Sequence, residues 1–143
     1  MKTALPALIV LLITGLLTAA CSNDDSAPAA PTPSGPSTEI FSGTLAVQGS
    51  SFYSFTVGAA GEVNITLASL TATKPGPALS RVMGLGVGAP LGTDCNMTSS
   101  VATAPGLSAQ LVNTLSPAIY CARIYDLGNL TAPANFTVRI VHN

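Results

Sequence analysis

EVNITLASL, residues 62–70, decides the fold. Val63, Ile65 and Leu67 fall on one side of this stretch, and Glu62, Asn64 and Thr66 on the other. A period of two marks a half-buried strand, because successive side chains of an extended chain point to opposite faces. The same pattern recurs on both flanks. NFTVRIVHN, residues 135–143, sets Phe136, Val138 and Ile140 against Asn135, Thr137 and Arg139. SSFYSFTV, residues 50–57, alternates Tyr53, Phe55 and Val57 with Ser54 and Thr56. Helical periodicity is absent outside the first residues of the chain.

Turn residues separate these runs: Gly49-Ser50, residues 58–61 and 74–77, Pro105-Gly106, Ser116-Pro117 and Gly128-Asn129. Strands are predicted near 39–48, 51–57, 62–70, 81–88, 107–112, 118–126 and 134–142. Many short strands at this spacing predict an all-β fold: an antiparallel, jelly-roll-like β-sandwich of about seven to eight strands over residues 38–143. The glycines of RVMGLGVGAPLG make the fourth strand weak, with a bulge or a close backbone approach. GTDCNMTSS, residues 92–100, reads as a polar loop.

The chain opens MKTALPALIVLLITGLLTAAC. Lys2 supplies a positive end, residues 4–17 carry no charge, and Thr18, Ala19 and Ala20 lead into Cys21. This is the grammar of a secretory signal over residues 1–20. As a helix the apolar run spans only about 20 Å, against roughly 30 Å of bilayer hydrocarbon. LLTAAC resembles the bacterial lipobox, with Thr18 where an aliphatic residue is usual. The resemblance implies that Cys21 becomes the lipidated mature terminus, carrying a diacylglycerol and usually an amide-linked acyl chain. The protein would then sit in the bacterial cell envelope, its membrane partner reached through that anchor. Ser22 after the cysteine resembles an outer-membrane destination in Gram-negative sorting.

Residues 22–37, SNDDSAPAAPTPSGPS, have no side chain able to build a core. With Cys21 they form the anchor and a proline-biased tether, which reaches about 50 Å when fully extended. Beyond the tether, Lys74, Arg81, Arg123 and Arg139 balance Glu39, Glu62, Asp94 and Asp126. A neutral domain excludes nucleic acid as a partner, since phosphate binding needs a basic surface.

The chain has three cysteines, so one cannot pair within it. With Cys21 given to the membrane, Cys95 and Cys121 are expected to form a disulfide, because exported chains meet an oxidising compartment. The competing readings are free thiols and metal ligands; two cysteines without nearby histidines make a poor zinc site. Cys121 would share the outer face of its strand with Arg123 and Tyr125, and the Cys95 loop would be pinned across that face.

Three segments together resemble the bacterial pre-peptidase C-terminal domain. FSGTLAVQGSSFYSFTVGAAGEVNITL is similar to the family's opening strands, LSPAIYCARIYD to its Gly-x-Tyr-x-x-x-Val strand, and ANFTVRI to its closing strand. The resemblance implies a jelly-roll-like sandwich serving as an accessory module of secreted enzymes, without catalysis. The family's middle is often acidic and sometimes binds calcium; no acidic cluster stands there in this chain.

Few residues invite chemistry. His142 is the sole histidine. A triad with Asp126 and a serine can be drawn, but a residue next to the end is expected to be frayed and at the surface. Neither GxSxG nor another nucleophile signature occurs. Asp94 and Asp126 are weak candidates for one cation, short of the six to eight oxygens calcium takes; Asp126 alternatively starts an Asx turn before Gly128. No cofactor is implied. Tyr53, Phe55 and Tyr120 read as core, while Phe52 and Tyr125 read as outward rings able to stack on a sugar. Asn-x-Thr triplets begin at Asn64, Asn96, Asn129 and Asn135 and serve strands and turns in a bacterial setting. The function expected is a non-catalytic envelope module that binds or spaces a protein or glycan partner. A purely structural surface protein is the alternative, and an enzyme of unrecognised type the remote one.

Overall fold

The computed structural model describes residues 35–73 and 76–143. Cys21, the signal and most of the tether lie outside the described residues, as does Lys74. Eight strands make up the fold: β1 Ser37–Leu45, β2 Ser50–Val57, β3 Gly61–Ala72, β4 Met83–Leu91, β5 Asp94–Thr103, β6 Leu111–Leu115, β7 Ala118–Asp126 and β8 Ala134–His142. They form two four-stranded sheets in the orders β1-β8-β3-β6 and β2-β7-β4-β5. Every pairing is antiparallel. The chain alternates between the sheets up to β4 and again in its last strands, which is the strand order of a jelly roll. The predicted fold class therefore stands.

The core lies between the sheets. On the first sheet, Val63, Ile65 and Leu67 of β3 and Phe136, Val138 and Ile140 of β8 are buried, on the faces read from alternation. On the second, Met83, Leu85 and Val87 of β4 face Ala122 and Ile124 of β7. Phe55 is buried, and Tyr53 and Tyr120 pack against the same core. Each such aliphatic contributes about 1.5–3 kcal/mol by leaving water.

Several boundaries and one whole strand differ from the sequence reading. The strand expected at 81–88 runs from Met83 to Leu91, and the one expected at 107–112 is β6, from Leu111 to Leu115. β5 begins within residues 92–100, where the sequence reads as a polar loop. It is the edge strand of the second sheet, and Val101 is the large apolar side chain it packs against the core. Opposite the inward Met83, Leu85 and Val87 of β4 stand Thr103, Val101 and Ser99, so two of these three β5 positions are polar and the strand carries no apolar period-two signal.

Alternation places Thr66 on the solvent face, but it is only 2% exposed. Residues 104–110 run beside β3 and lean over it. Gly106 N–H donates to Leu67 O at 2.9 Å, and Gln110 N–H donates to Ile65 O at 3.1 Å. The Gln110 side chain accepts from Leu67 N–H at 2.7 Å. Arg139, on the neighbouring strand, donates to Leu107 O at 3.0 Å. That cover buries Thr66, the cross-strand partner of Arg139.

The glycines of β4 allow close approach. They alternate with its inward residues and so face outward. A Cβ on Gly88 would lie 1.9 Å from Asn96 O, so only glycine fits where β5 crosses it. The ladder shifts register between Val87 and Gly88, which is the expected bulge.

Candidate functional site

Two polar clusters occupy the described part of the molecule. The first lies where edge strands β1 and β2 meet. Glu39 takes an inward position on β1. Its carboxylate accepts from Tyr53 Oη at 2.6 Å and lies 2.8 Å from His142 Nε2. His142 is not frayed: it is 4% exposed, and its ring packs 5.3 Å from that of Phe55. The expectation of a surface histidine fails because β8 pairs with β1 out to its last residue, His142 opposite Ser37. Nor does His142 approach Asp126; its acidic partner is Glu39.

This cluster does not activate a nucleophile. The hydrogen bond to Glu39, then its negative charge, then burial push the Tyr53 phenol above its ordinary value. A phenol so held stays protonated and acts as a donor. The cluster ties the two sheets together at their open edge.

The second cluster lies on the outer face of the second sheet. Arg123 of β7 forms an ion pair with Asp94 at 2.9 Å and donates to Ser50 Oγ at 3.0 Å. Its guanidinium carbon is 5.9 Å from the centre of the Tyr125 ring. Tyr125 covers Gly84, its cross-strand partner on β4; a Cβ there would fall 2.1 Å from the ring. Cys95 and Cys121 are joined in a disulfide beside this cluster. Their Cα atoms are 5.9 Å apart. β4 separates their strands in the sheet order, and two strand spacings are about 9.5 Å. The tip of the β4–β5 hairpin is therefore folded across the outer face, which is how Asp94 reaches Arg123. Cys95 belongs to a strand, not to the loop expected, yet the pinning across that face is as anticipated.

Asp94 and Asp126 do not converge on a cation. Asp94 opens β5 opposite Leu91, while Asp126 closes β7 opposite Met83, at the other end of β4. Asp126 holds a turn instead. Its Oδ1 accepts from the N–H groups of Gly128 at 3.0 Å, Asn129 at 2.8 Å and Leu130 at 3.1 Å. Its Oδ2 accepts from Gln48 N–H at 2.8 Å. Gly128 adopts a positive φ of 88° to let the chain turn. Among the described residues no group of three or more His, Cys, Asp or Glu is placed to hold a metal.

Burial pulls the Asp126 carboxyl up, but the N–H donors of Gln48, Asn129, Leu130 and Gly128 outweigh it and hold the group below its ordinary value. A carboxyl depressed in the folded state stabilises above its unfolded pKa of about 3.9, and that contribution is lost as pH falls through the folded value. Asp126→Asn keeps an Oδ1 acceptor but loses the charge and the Oδ2 contact with Gln48. We expect it to cost about 1–2 kcal/mol near neutral pH. In urea titrations the deficit should shrink as the pH is lowered below about 3.9. A deficit that is independent of pH would show that the charge does not stabilise this turn.

A cleft of about 120 Å³ lies among Ala72, Leu79, Arg81, Leu130, Thr131 and Pro133. Ligand pockets usually enclose about 300–1,000 Å³, so this one is small for a ligand site.

No protein-family model matches the chain, and no curated protein does. The chain is similar to a solved structure, that of Aeromonas hydrophila PliG, a periplasmic lysozyme inhibitor of g-type lysozyme. The two share 10% identity over 76% of this chain and 89% of that one, with a TM-score of 0.48.

Proposed function

We propose that the protein is a lipid-anchored lipoprotein of the bacterial cell envelope whose β-sandwich is a non-catalytic binding or accessory module. The observation that carries this reading is the pairing of Cys95 with Cys121, which leaves Cys21 without a partner in the chain. That cysteine stands directly after an uncharged apolar run and small residues, where a lipobox cysteine stands. Each buried methylene contributes about 0.8 kcal/mol, so two or three acyl chains on one residue hold a protein where one does not.

The state of the titratable groups supports a module without catalysis. Asp94 is paired with Arg123, and Asp126 with the N–H groups of its turn. Glu39 is shared between Tyr53 and His142, and Arg139 is bound to Leu107. These groups hold the fold, and none is poised beside a serine or threonine as a general base. The likeness to the pre-peptidase C-terminal domain fits the same reading.

Cys21→Ala should abolish labelling of the protein by a fatty-acid probe in growing bacteria and leave the precursor unprocessed. Continued labelling would refute the anchor. Recovery of the wild type in the inner membrane of a Gram-negative host would refute the outer-membrane destination drawn from Ser22.

A further inference from the structure

We propose that the free edge of β6 pairs with β6 of a second copy of this chain, antiparallel and about a two-fold axis at Asn113. This goes beyond the reading of the sandwich as a binding module and does not depend on the anchor. A free strand edge is a row of unpaired backbone donors and acceptors, which proteins guard with charge, bulges or cover. Three of the four sheet edges here are guarded. β1 sets the carboxylate of Glu39 inward, and β2 lies against β1, with Tyr53 bonded to Glu39 and stacked 5.6 Å from Phe41. β5 is bulged where its ladder with β4 shifts register. β6 is short, but it pairs with β3 in unbroken register and ends its sheet. Among the described residues no backbone hydrogen bond outside the β3 ladder reaches it. Residues 95–122, which hold β5, β6 and the segment between them, carry no charged side chain.

The strand is complementary to itself. A two-fold pairing that uses all of β6 sets Asn113 opposite Asn113, Leu111 opposite Leu115 and Val112 opposite Thr114. Asn113 is where the single chain is deficient, because its Nδ2 is buried without a hydrogen-bond partner. Opposed side chains of an antiparallel pair stand about 4.5–5.5 Å apart at Cβ. The last torsion of an asparagine is broad, so each amide can turn until its Nδ2 donates to the Oδ1 of its mate. A strand of unrelated sequence offers an amide at this place only by chance, whereas a second copy offers one by symmetry. On the outer face Val112, 51% exposed, gains cover from the Thr114 of the other copy. Charge does not oppose the contact. Glu62, the charged residue paired with β6, stands opposite Thr114 and accepts from Asn64. The Glu62 carboxylates of the two copies are at least three strand spacings apart, about 14 Å, beyond a Debye length of about 8 Å.

The test is cross-linking of the full chain in growing bacteria, with sedimentation of the purified full chain beside it. Asn113→Cys sets two thiols face to face at the axis, so non-reducing gels should show a dimer of the chain. Thr38→Cys, on the exposed β1 edge, and the wild type should show far less. Val112→Lys brings like charges to diagonal positions across the axis on the outer face. Val112 is exposed, so thermal melts should show the variant folded. Sedimentation equilibrium in density-matched detergent should find the wild type in a reversible monomer–dimer equilibrium, with Val112→Lys raising its Kd about tenfold. A wild type that stays monomeric at about 100 µM overturns the proposal. So does an Asn113→Cys chain that cross-links only to a different protein, or no more than Thr38→Cys does. An undiminished dimer of folded Val112→Lys also overturns it, by placing the contact elsewhere. Cys21 labelling is read independently, so failure of either claim leaves the other standing.

Discussion

Replacing Cys95 and Cys121 together by alanine should cost the protein roughly 3.5 kcal/mol, the loop-closure value for residues 26 apart in sequence. The loss should come mainly from the freedom regained by the unfolded chain. A native-state part is expected as well. The hairpin tip from Leu91 to Asn96 is folded onto β7, held by the disulfide and by the ion pair of Asp94 with Arg123. Asp94 is largely exposed, and an exposed ion pair contributes at most about 1 kcal/mol. Without the disulfide that pair alone cannot fix the tip, so amide exchange should quicken over residues 91–97. Urea unfolding of the double variant against the wild type, with exchange measured in parallel, decides the matter. A loss below about 1 kcal/mol, with exchange unchanged, would mean that packing on Gly88 holds the tip by itself.

The legible and illegible parts of this chain divide on a physical line. β3, β7 and β8 were readable because each is central in its sheet with one face in the core, so apolar and polar residues must alternate. The glycines of β4 were readable too: three outward glycines in alternation with Met83, Leu85 and Val87 announce that something lies close above them. What lies there, Tyr125 and the folded-over β5, was not readable, because it depends on a cross-strand register. β5 itself is not legible because two of its three positions opposite the inward residues of β4, Ser99 and Thr103, are polar. Cys95 and Cys121 could be paired from compartment and count, without geometry. The Glu39–His142 contact joins residues 103 apart, and nothing local marks either of them. Lone charged residues on a strand look alike whether they face water or an opposite sheet edge.

Thr66 is the residue at which sequence and structure give opposite numbers, and it makes a sharp test beside its neighbour. Ile65 is fully buried in the middle of the core, with 0% exposure. Ile65→Ala should cost about 2–5 kcal/mol, through lost transfer energy and a cavity that two packed sheets cannot close. By alternation alone, Thr66 would face solvent, and Thr66→Ala would cost about 0.5 kcal/mol or less. Covered by residues 104–110 and Arg139, it should instead cost more than that, about 1–2 kcal/mol, since buried atoms are removed beneath a lid that cannot fully follow. β8 supplies the internal control. Val138 is fully buried, while Thr137 is half-buried and shares a 3.2 Å contact with Ser42 on the outer face. Val138→Ala should therefore be costly and Thr137→Ala close to neutral, at roughly 0.5 kcal/mol. The four variants, unfolded in urea under one set of conditions, give a definite order: Ile65 first, Val138 next, then Thr66, with Thr137 last. If Thr66 proves as mild as Thr137, the cover over β3 is loose in solution. If Thr66 or Thr137 exceeds its aliphatic neighbour, the strand faces are reversed, because a slip of one residue exchanges every inward side chain for an outward one.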